Sequence, residues 1–479
     1  MSPFNFNNTY LSLPQSFYSF VKPNHLPNAE LVLFNTTLAN DLSIDTENKA
    51  AIEEVLFGKN ETVNQHSFAQ AYAGHQFGGF NMLGDGRAIV LGEHLDLNNN
   101  RFDIQLKGGG RTPYSRGGDG MATLKAMLRE YLISEAMYYL NIPTSRSLAV
   151  VLTGENVYRQ TMQQGAMVAR VMKSHIRIGT FEFASYLTNK EHVEALLNYT
   201  INRLYPQLKN EKNNAIALLQ QVMQQQISLV CNWMRVGFIH GVMNTDNVAI
   251  SGETFDYGPC AFMNSYNPAT VFSSIDTEGR YAFGNQPNII KWNLIKLAQA
   301  LLPVIHEDSK AAVAMVQEVF KHYDSQWFDA YYNMMLNKIG IENKTLKERI
   351  LVDELLEIMK QQKLDYTNTF NTLTNTLLID EPINISLANW KEKWLQSVAK
   401  NTNGFEAAKE LMQQNNPVFI PRNHKVEAAL ENACDGDFTT YNLLLQVMSN
   451  PYTYQPNAEE FLNAPSEIFE NSYQTFCGT

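Results

Sequence analysis

The segment HGVMNTDNVAISGETFDYG, His240 to Gly258, sets two aspartates and an asparagine at a spacing that suits phosphate chemistry. Asp246 and Asn247 are adjacent, and Asp256 follows nine residues after the asparagine. Carboxylate and amide oxygens in this number match Mg2+, which takes a few hard oxygen ligands and retains waters. Asp246, beside a ligand of that ion, is suited to accept the proton of an attacking hydroxyl. Taken alone, the Thr-Asp-Asn and Ser-Gly-Glu runs would also make ordinary surface turns.

Residues upstream complete a phosphate-handling set. Lys107 closes the alternating run FDIQLK and supplies a cation, and Glu130, 23 residues later in a helical stretch, can hold that lysine in place. Most such pairs are solvated surface pairs, and Arg129 and Glu135 share the stretch, so context selects Glu130. The turn Gly84-Asp85-Gly86-Arg87 precedes Lys107 by twenty residues. Its glycines let backbone N–H groups approach an anion, and Arg87 adds charge. Arg170 and Arg177 could cradle a phosphate tail, or be ordinary surface arginines. Seven positions apart on an unbroken strand they face opposite sides, so sharing a site requires a break near Ser174-His175. His175 and His240 read as structural hydrogen-bonders. Turn, lysine, glutamate, asparagine and aspartate follow the order used by protein kinases, which place H-R-D-x-x-x-x-N before D-F-G. Aligned on Asn247, the kinase base position falls on Val242, which cannot accept a proton.

These side chains need a frame. NMLGDGRAIVLGE, 81–93, reads as two short strands around the Gly-Asp-Gly turn. FDIQLKG, 102–108, reads as a half-buried strand ending at Lys107. A glycine-rich loop, GGGRTPYSRGGDG, then leads into a helix over 121–140, closed by Asn141 and Pro143. From about residue 165 the pattern turns helical. The stretch 213–237 carries Leu219, Val222, Met223, Val230 and Trp233 on one stripe, and further helices follow at 288–305, in KTLKERILVDELLEIMKQQ and around KVEAALENA. The expected fold is α+β with two lobes and a cleft between them: a strand-rich lobe over 1–165 and a mainly helical lobe over 166–479.

Composition narrows the function classes. A chain of 479 residues holds two or three domain-sized units, and 44% hydrophobic residues is ordinary for a globular protein. A net charge of −11 argues against a nucleic-acid surface. No apolar run nears the ~20 residues that span a bilayer. The opening MSPFNFNNTYLSLPQSF lacks secretion and transit features. A cytoplasmic monomer with no membrane or nucleic-acid partner is the expectation. The four cysteines, Cys231, Cys260, Cys434 and Cys477, show no zinc spacing and no disulfide framework.

Longer strings carry a resemblance. YAGHQFGGFNMLGDGRA, QLKGGGRTPYSRGGDG, LREYLISEAM, ARVMKSHIRIGTFE, HGVMNTDN, DYGP, GRYAFGNQP, PVFIPRNHKVE and the terminal TFCGT together resemble the selenoprotein O family over most of the chain. The resemblance implies a protein-kinase-like fold that binds ATP in a flipped orientation and transfers AMP to Ser, Thr or Tyr hydroxyls of proteins. Carried onto matching positions, it implies that Lys107 binds phosphate and pairs with Glu130. Gly84, Gly86, Arg87, Asp119 and Gly120 would contact the nucleotide, with Arg170 and Arg177 on the phosphate tail. Asn247 and Asp256 would ligate Mg2+ or Mn2+, Asp256 also facing the nucleotide, and Asp246 would accept the hydroxyl proton.

The family's eukaryotic members carry selenocysteine near the carboxyl terminus, where this chain has Cys477. Cys260 lies just after Asp256, so two readings stand side by side: a reversible Cys260–Cys477 disulfide tying the tail to the site, and two free thiols. Three functions remain open on the residues alone: AMP transfer, γ-phosphoryl transfer with Asp246 as a displaced base, and a catalytically silent nucleotide-binding scaffold.

Overall fold

The computed structural model describes residues 3–379 and 384–475. Among them, ten strands precede residue 173: β1 (Tyr18–Phe20), β2 (Glu30–Phe34), β3 (Phe68–Gln70), β4 (Ala73–Gln76), β5 (Gly79–Met82), β6 (Ala88–Leu95), β7 (Arg101–Lys107), β8 (Ala122–Thr123), β9 (Arg146–Tyr158) and β10 (Met162–Met172). Eight of them form one sheet in the order β1-β3-β6-β7-β10-β9-β2, with β8 on β10. Position 165 lies inside β10, and this sheet runs to Met172.

Strand alternation sorts the sheet's side chains between two cores. Ile104 and Leu106 of β7 and Met167, Ala169 and Val171 of β10 pack with Leu38, Ile52 and Val55 of the helices Thr36–Asp41 and Lys49–Leu56. Val150 and Val168 face the other way, into a core that contains Met127 and Leu128 of the helix Leu124–Tyr139. Lys107 lies opposite Val168, and Arg170 opposite Gln105, on that second face. A helix therefore covers the polar side of β7, which is buried on both faces from Asp103 to Lys107 instead of half-buried.

The Gly-Asp-Gly turn also departs from expectation. β5 pairs with β4, not with β6 across the turn. Gly84 sits at φ 138°, with the Tyr114 ring 2.4 Å from where a Cβ would stand. Asp85 points inward, where its carboxylate accepts hydrogen bonds from the Gln70 N–H and the Gln105 amide, each at 3.2 Å. A hairpin turn would have left Asp85 in solvent.

Beyond residue 177 the chain is mainly helical. The helix Asn214–Arg235 starts at Asn213, whose side chain accepts from the Ile216 N–H at 3.1 Å, and buries all five residues of the expected stripe. It delivers the chain into β11 (Phe238–Ile239), which pairs antiparallel with β12 (Ala261–Phe262). The segment from His240 to Cys260 is thus an excursion pinned at both ends. No helix among the described residues is long and apolar enough to cross a membrane.

One group in that excursion makes stability depend on pH. Glu253 is buried, accepting from the Ser251 hydroxyl at 2.7 Å and the Lys173 N–H at 3.1 Å. Burial pushes its carboxyl up to about 7, outweighing the Ser251 hydrogen bond. A raised folded-state value means that its stability contribution is complete below the ordinary glutamate range and is lost as pH rises through about 7. Glu253→Gln mimics the protonated form. The variant should gain on the wild type between pH 5 and pH 8, by up to ~3 kcal/mol. Paired melting curves at the two pH values check this, and a constant difference contradicts it.

Candidate active site

Four charged side chains from four separated parts of the chain meet beneath the sheet. Lys107, at the end of β7, donates to Glu130 Oε2 at 2.6 Å and to Asp256 Oδ1. Arg170 of β10 donates through Nε to Glu130 Oε1 at 2.8 Å, through Nη2 to the same oxygen, and lies 3.4 Å from Asp256 Oδ1. Glu130 thus holds both cations, one on each oxygen. Its neighbours on the helix have other partners: Glu135 pairs with Arg146, and Arg129 with Glu427. Burial alone would raise the Glu130 carboxyl, but Arg170 and Lys107 hold it below the usual range. Asp256 is likewise buried toward a higher value and held well below the carboxylate range by Lys107 and Arg170, with Arg87 contributing.

The break between Arg170 and Arg177 is real. β10 ends at Met172, and Arg177 is the residue that precedes the helix Ile178–Tyr186. Both guanidinium groups then lie over the Phe255 ring, 5.5 Å and 5.0 Å from its centre. Arg177 also covers the Tyr72 ring at 4.0 Å, approaches Asp85 Oδ1 at 3.4 Å and donates to the Asp246 carbonyl at 3.1 Å. Asp246 is itself buried, and its Oδ1 has no hydrogen-bond partner among the described residues. Burial pushes its carboxyl up to about 6, against the pull of Arg177. Asn247 donates its amide to the Val242 carbonyl at 3.1 Å, which leaves its oxygen as the atom that could face an ion. Val242 is buried and its side chain has no proton to exchange.

The glycine-rich loop packs onto the Gly84–Arg87 turn. Thr112 Oγ1 donates to the Asp85 carbonyl at 2.6 Å, Ser115 Oγ to the Gly86 carbonyl, and Gly108 N–H to the Arg87 carbonyl at 2.7 Å. Gly120 closes the loop through its carbonyl, which accepts from Gly110 N–H at 3.2 Å. Asp119 forms its ion pair with Arg159, at 2.7 Å, and not with any member of the charged cluster. His175 Nδ1 meets Asp103 Oδ2 at 3.0 Å, and His240 donates through Nε2 to the Phe255 carbonyl at 3.1 Å; both rings are buried. Cys260 is a buried free thiol pushed up to about 11 by burial, and Cys477 lies outside the described residues.

Asp85, Tyr72 and Phe255 join this site without having been singled out by sequence. Asp85 had a signal, since it sits inside a turn already chosen for its glycines. Glu182 had a fainter one, as the lone charge in the apolar stretch IGTFEFASY.

Among the described residues no three His, Cys, Asp or Glu side chains form a metal nest of their own. Glu130 and Asp85 are engaged with Lys107, Arg170 and Arg177, so the hard oxygens left for an ion are those of Asp246, Asn247 and Asp256. Such a sparse hard-oxygen set, with an orphaned Asp246 Oδ1, fits an ion that completes its shell with water and phosphate.

Residues 1–449 match the family model described as "Protein adenylyltransferase SelO". Relatives include the protein nucleotidyltransferases YdiU of Bacillus thuringiensis subsp. konkukian (strain 97-27) and Bacillus cereus (strain AH187), each 48% identical over 483 residues. The Brevibacillus brevis protein of the same name is 48% identical over 484 residues. In all three alignments 99% of this chain covers 98% of the relative.

Proposed function

Because the chain belongs to the SelO family of protein adenylyltransferases, we propose that this site moves AMP from ATP onto Ser, Thr or Tyr hydroxyls of acceptor proteins. The observation that best supports this reading is the cluster of buried Lys107, Glu130 and Arg170 with the partly exposed Asp256, joined through Phe255 to Arg177 and Asp246. An ordinary kinase transfers the terminal phosphate and has less need of two arginines behind its lysine. When the α-phosphorus is attacked, pyrophosphate leaves, and its developing charge calls for several cations.

The proposed reaction uses those positions. The acceptor hydroxyl oxygen bonds to the α-phosphorus, the bond from that phosphorus to the α–β bridging oxygen breaks, and the hydroxyl proton passes to the Asp246 carboxylate. Lys107, Arg170 and Arg177, with Arg87 from the Gly84–Gly86 turn, bind the phosphate chain, while Glu130 keeps Lys107 and Arg170 oriented. Gly120 and Asp119 belong to the loop that borders the nucleotide. Asn247 and Asp256 would hold Mg2+ or Mn2+, which when bound neutralises phosphate charge. The architecture that suits this chemistry is a two-lobed, kinase-like one, its strand-rich lobe running through β10 to Met172 rather than ending at 165, with the helical lobe after it.

ATP labelled separately at the α- and γ-phosphates tests the assignment with casein as a hydroxyl-rich acceptor. α-Label on protein is the expected result. γ-Label would make the protein a phosphotransferase, and no label would make it a scaffold.

A further inference from the structure

The turn that carries Asp246 is tied to a hairpin and a helix by one buried carboxylate. Glu182, in the helix Ile178–Tyr186, is 6% exposed and uses both oxygens. Oε1 lies 2.6 Å from His75 Nδ1, in strand β4, and Oε2 accepts the Thr245 hydroxyl proton at 2.5 Å. With its proton committed to Glu182, Thr245 Oγ1 has only lone pairs left, and it accepts the His75 backbone N–H at 2.7 Å. Three elements are thereby closed into a ring of directional hydrogen bonds, next to Asp246 in sequence. A second pair of contacts runs alongside: Phe77 N–H donates to Asn244 Oδ1 at 3.2 Å, and the Tyr281 hydroxyl to the same oxygen at 2.6 Å.

β4 also shapes the space around the Asp246 carboxylate. A Cβ on Gly74 would stand 2.5 Å from Asp246 Oδ1. Strand and carboxylate touch, so the position of β4 sets the position of the oxygen that lacks a partner. The same helix acts on Asp246 a second time, through the Arg177 guanidinium on its carbonyl. A buried carboxylate in an apolar helix is costly unless both oxygens are engaged, and here both are engaged on the catalytic turn and its cover.

We infer that Glu182 is a positioning residue for AMP transfer, acting through Thr245 and His75 to fix the Asp246 carboxylate against strand β4. The inference rests on the reading of Asp246 as the proton acceptor. A displacement of about 1 Å in such a group costs about 100-fold in rate. Glu182→Ala should therefore lower kcat for α-label transfer to casein by about 100-fold, with the KM for ATP unchanged. Glu182→Gln keeps one acceptor for Thr245 and turns its amide N–H toward His75 Nδ1, so it should restore most of the rate. Thr245→Val should match Glu182→Ala, and the double variant should be no worse than either, since both cut one ring.

Hydrogen exchange supplies a readout independent of turnover. In Glu182→Ala the amides of segments 73–77 and 244–248 should lose protection while the helix Asn214–Arg235 keeps its own. Unchanged protection at those segments overturns the inference, as does a folded Glu182→Ala protein with wild-type kcat or with its loss confined to KM. The two readings fail differently. If Asp246 is not the acceptor, Asp246→Asn retains transfer; if only the Glu182 role is wrong, Asp246→Asn is inactive and Glu182→Ala is not.

Discussion

Asp256→Ala should abolish transfer of label from ATP, to below about one-thousandth of the wild-type rate, in a protein that remains folded. Asp256 touches both cations of the buried cluster and is the carboxylate proposed, with Asn247, to hold the divalent ion. Its removal leaves Lys107 and Arg170 in place, because Glu130 still accepts from each. The side chain of Asp256 is 32% exposed, so water reaches the gap and screens the charge. We expect a stability loss of only ~1–2 kcal/mol, against ~3–5 kcal/mol for stripping the fully buried Glu130 from the same cations. Backbone conformation adds a control. Asp256 sits at φ 65°, where alanine is strained and asparagine is not. Asp256→Asn keeps that geometry while removing the charge, and should be equally inactive. Transfer rates beside melting temperatures decide the matter, and an active Asp256→Asn protein removes Asp256 from the mechanism.

Asp246→Asn should slow AMP transfer by about 100- to 10,000-fold, with little change in the KM for ATP. The substitution is nearly isosteric, and Arg177 holds residue 246 by its backbone carbonyl, which the variant retains. What disappears is the capacity to accept a proton. The effect should therefore fall on turnover and not on nucleotide affinity. The position also explains why valine stands where kinases keep their base. Val242 is buried, and its carbonyl accepts from the Asn247 amide. Single-turnover rates with bound ATP measure the chemical step directly; a full-rate Asp246→Asn protein would leave the hydroxyl proton without the proposed acceptor.

The residues of the candidate site could be picked from the sequence because their types in that order have few alternative uses. Lys107 at a strand end, Glu130 on the following helix, and Asn247 and Asp256 nine apart are read from local pattern, and their local elements form where the pattern puts them. Composition and periodicity likewise set an α+β chain with strands first and helices after. Local pattern failed where partners come from far away. It set β5 against β6 across a tight turn, whereas β5 pairs with β4 and Asp85 turns inward to Gln70, Gln105 and Arg177. It read β7 as half-buried, because alternation reveals a polar face but not the helix that covers it.

Choosing Glu130 over Arg129 and Glu135 needed context in the sequence; in the folded chain it follows from Arg146 and Glu427 occupying the other two. What the sequence by itself determined is the inventory: which groups are of a type to bind phosphate, which are of a type to accept a proton, and in what order they come. Only the tertiary structure decided their partners and their charge. One carboxylate, Asp256, lies between two cations and is held low, while another, Asp246, is buried with one oxygen unpaired and is raised to about 6. Both are aspartates ten residues apart, and the difference between them is burial and neighbours, which no local spacing encodes.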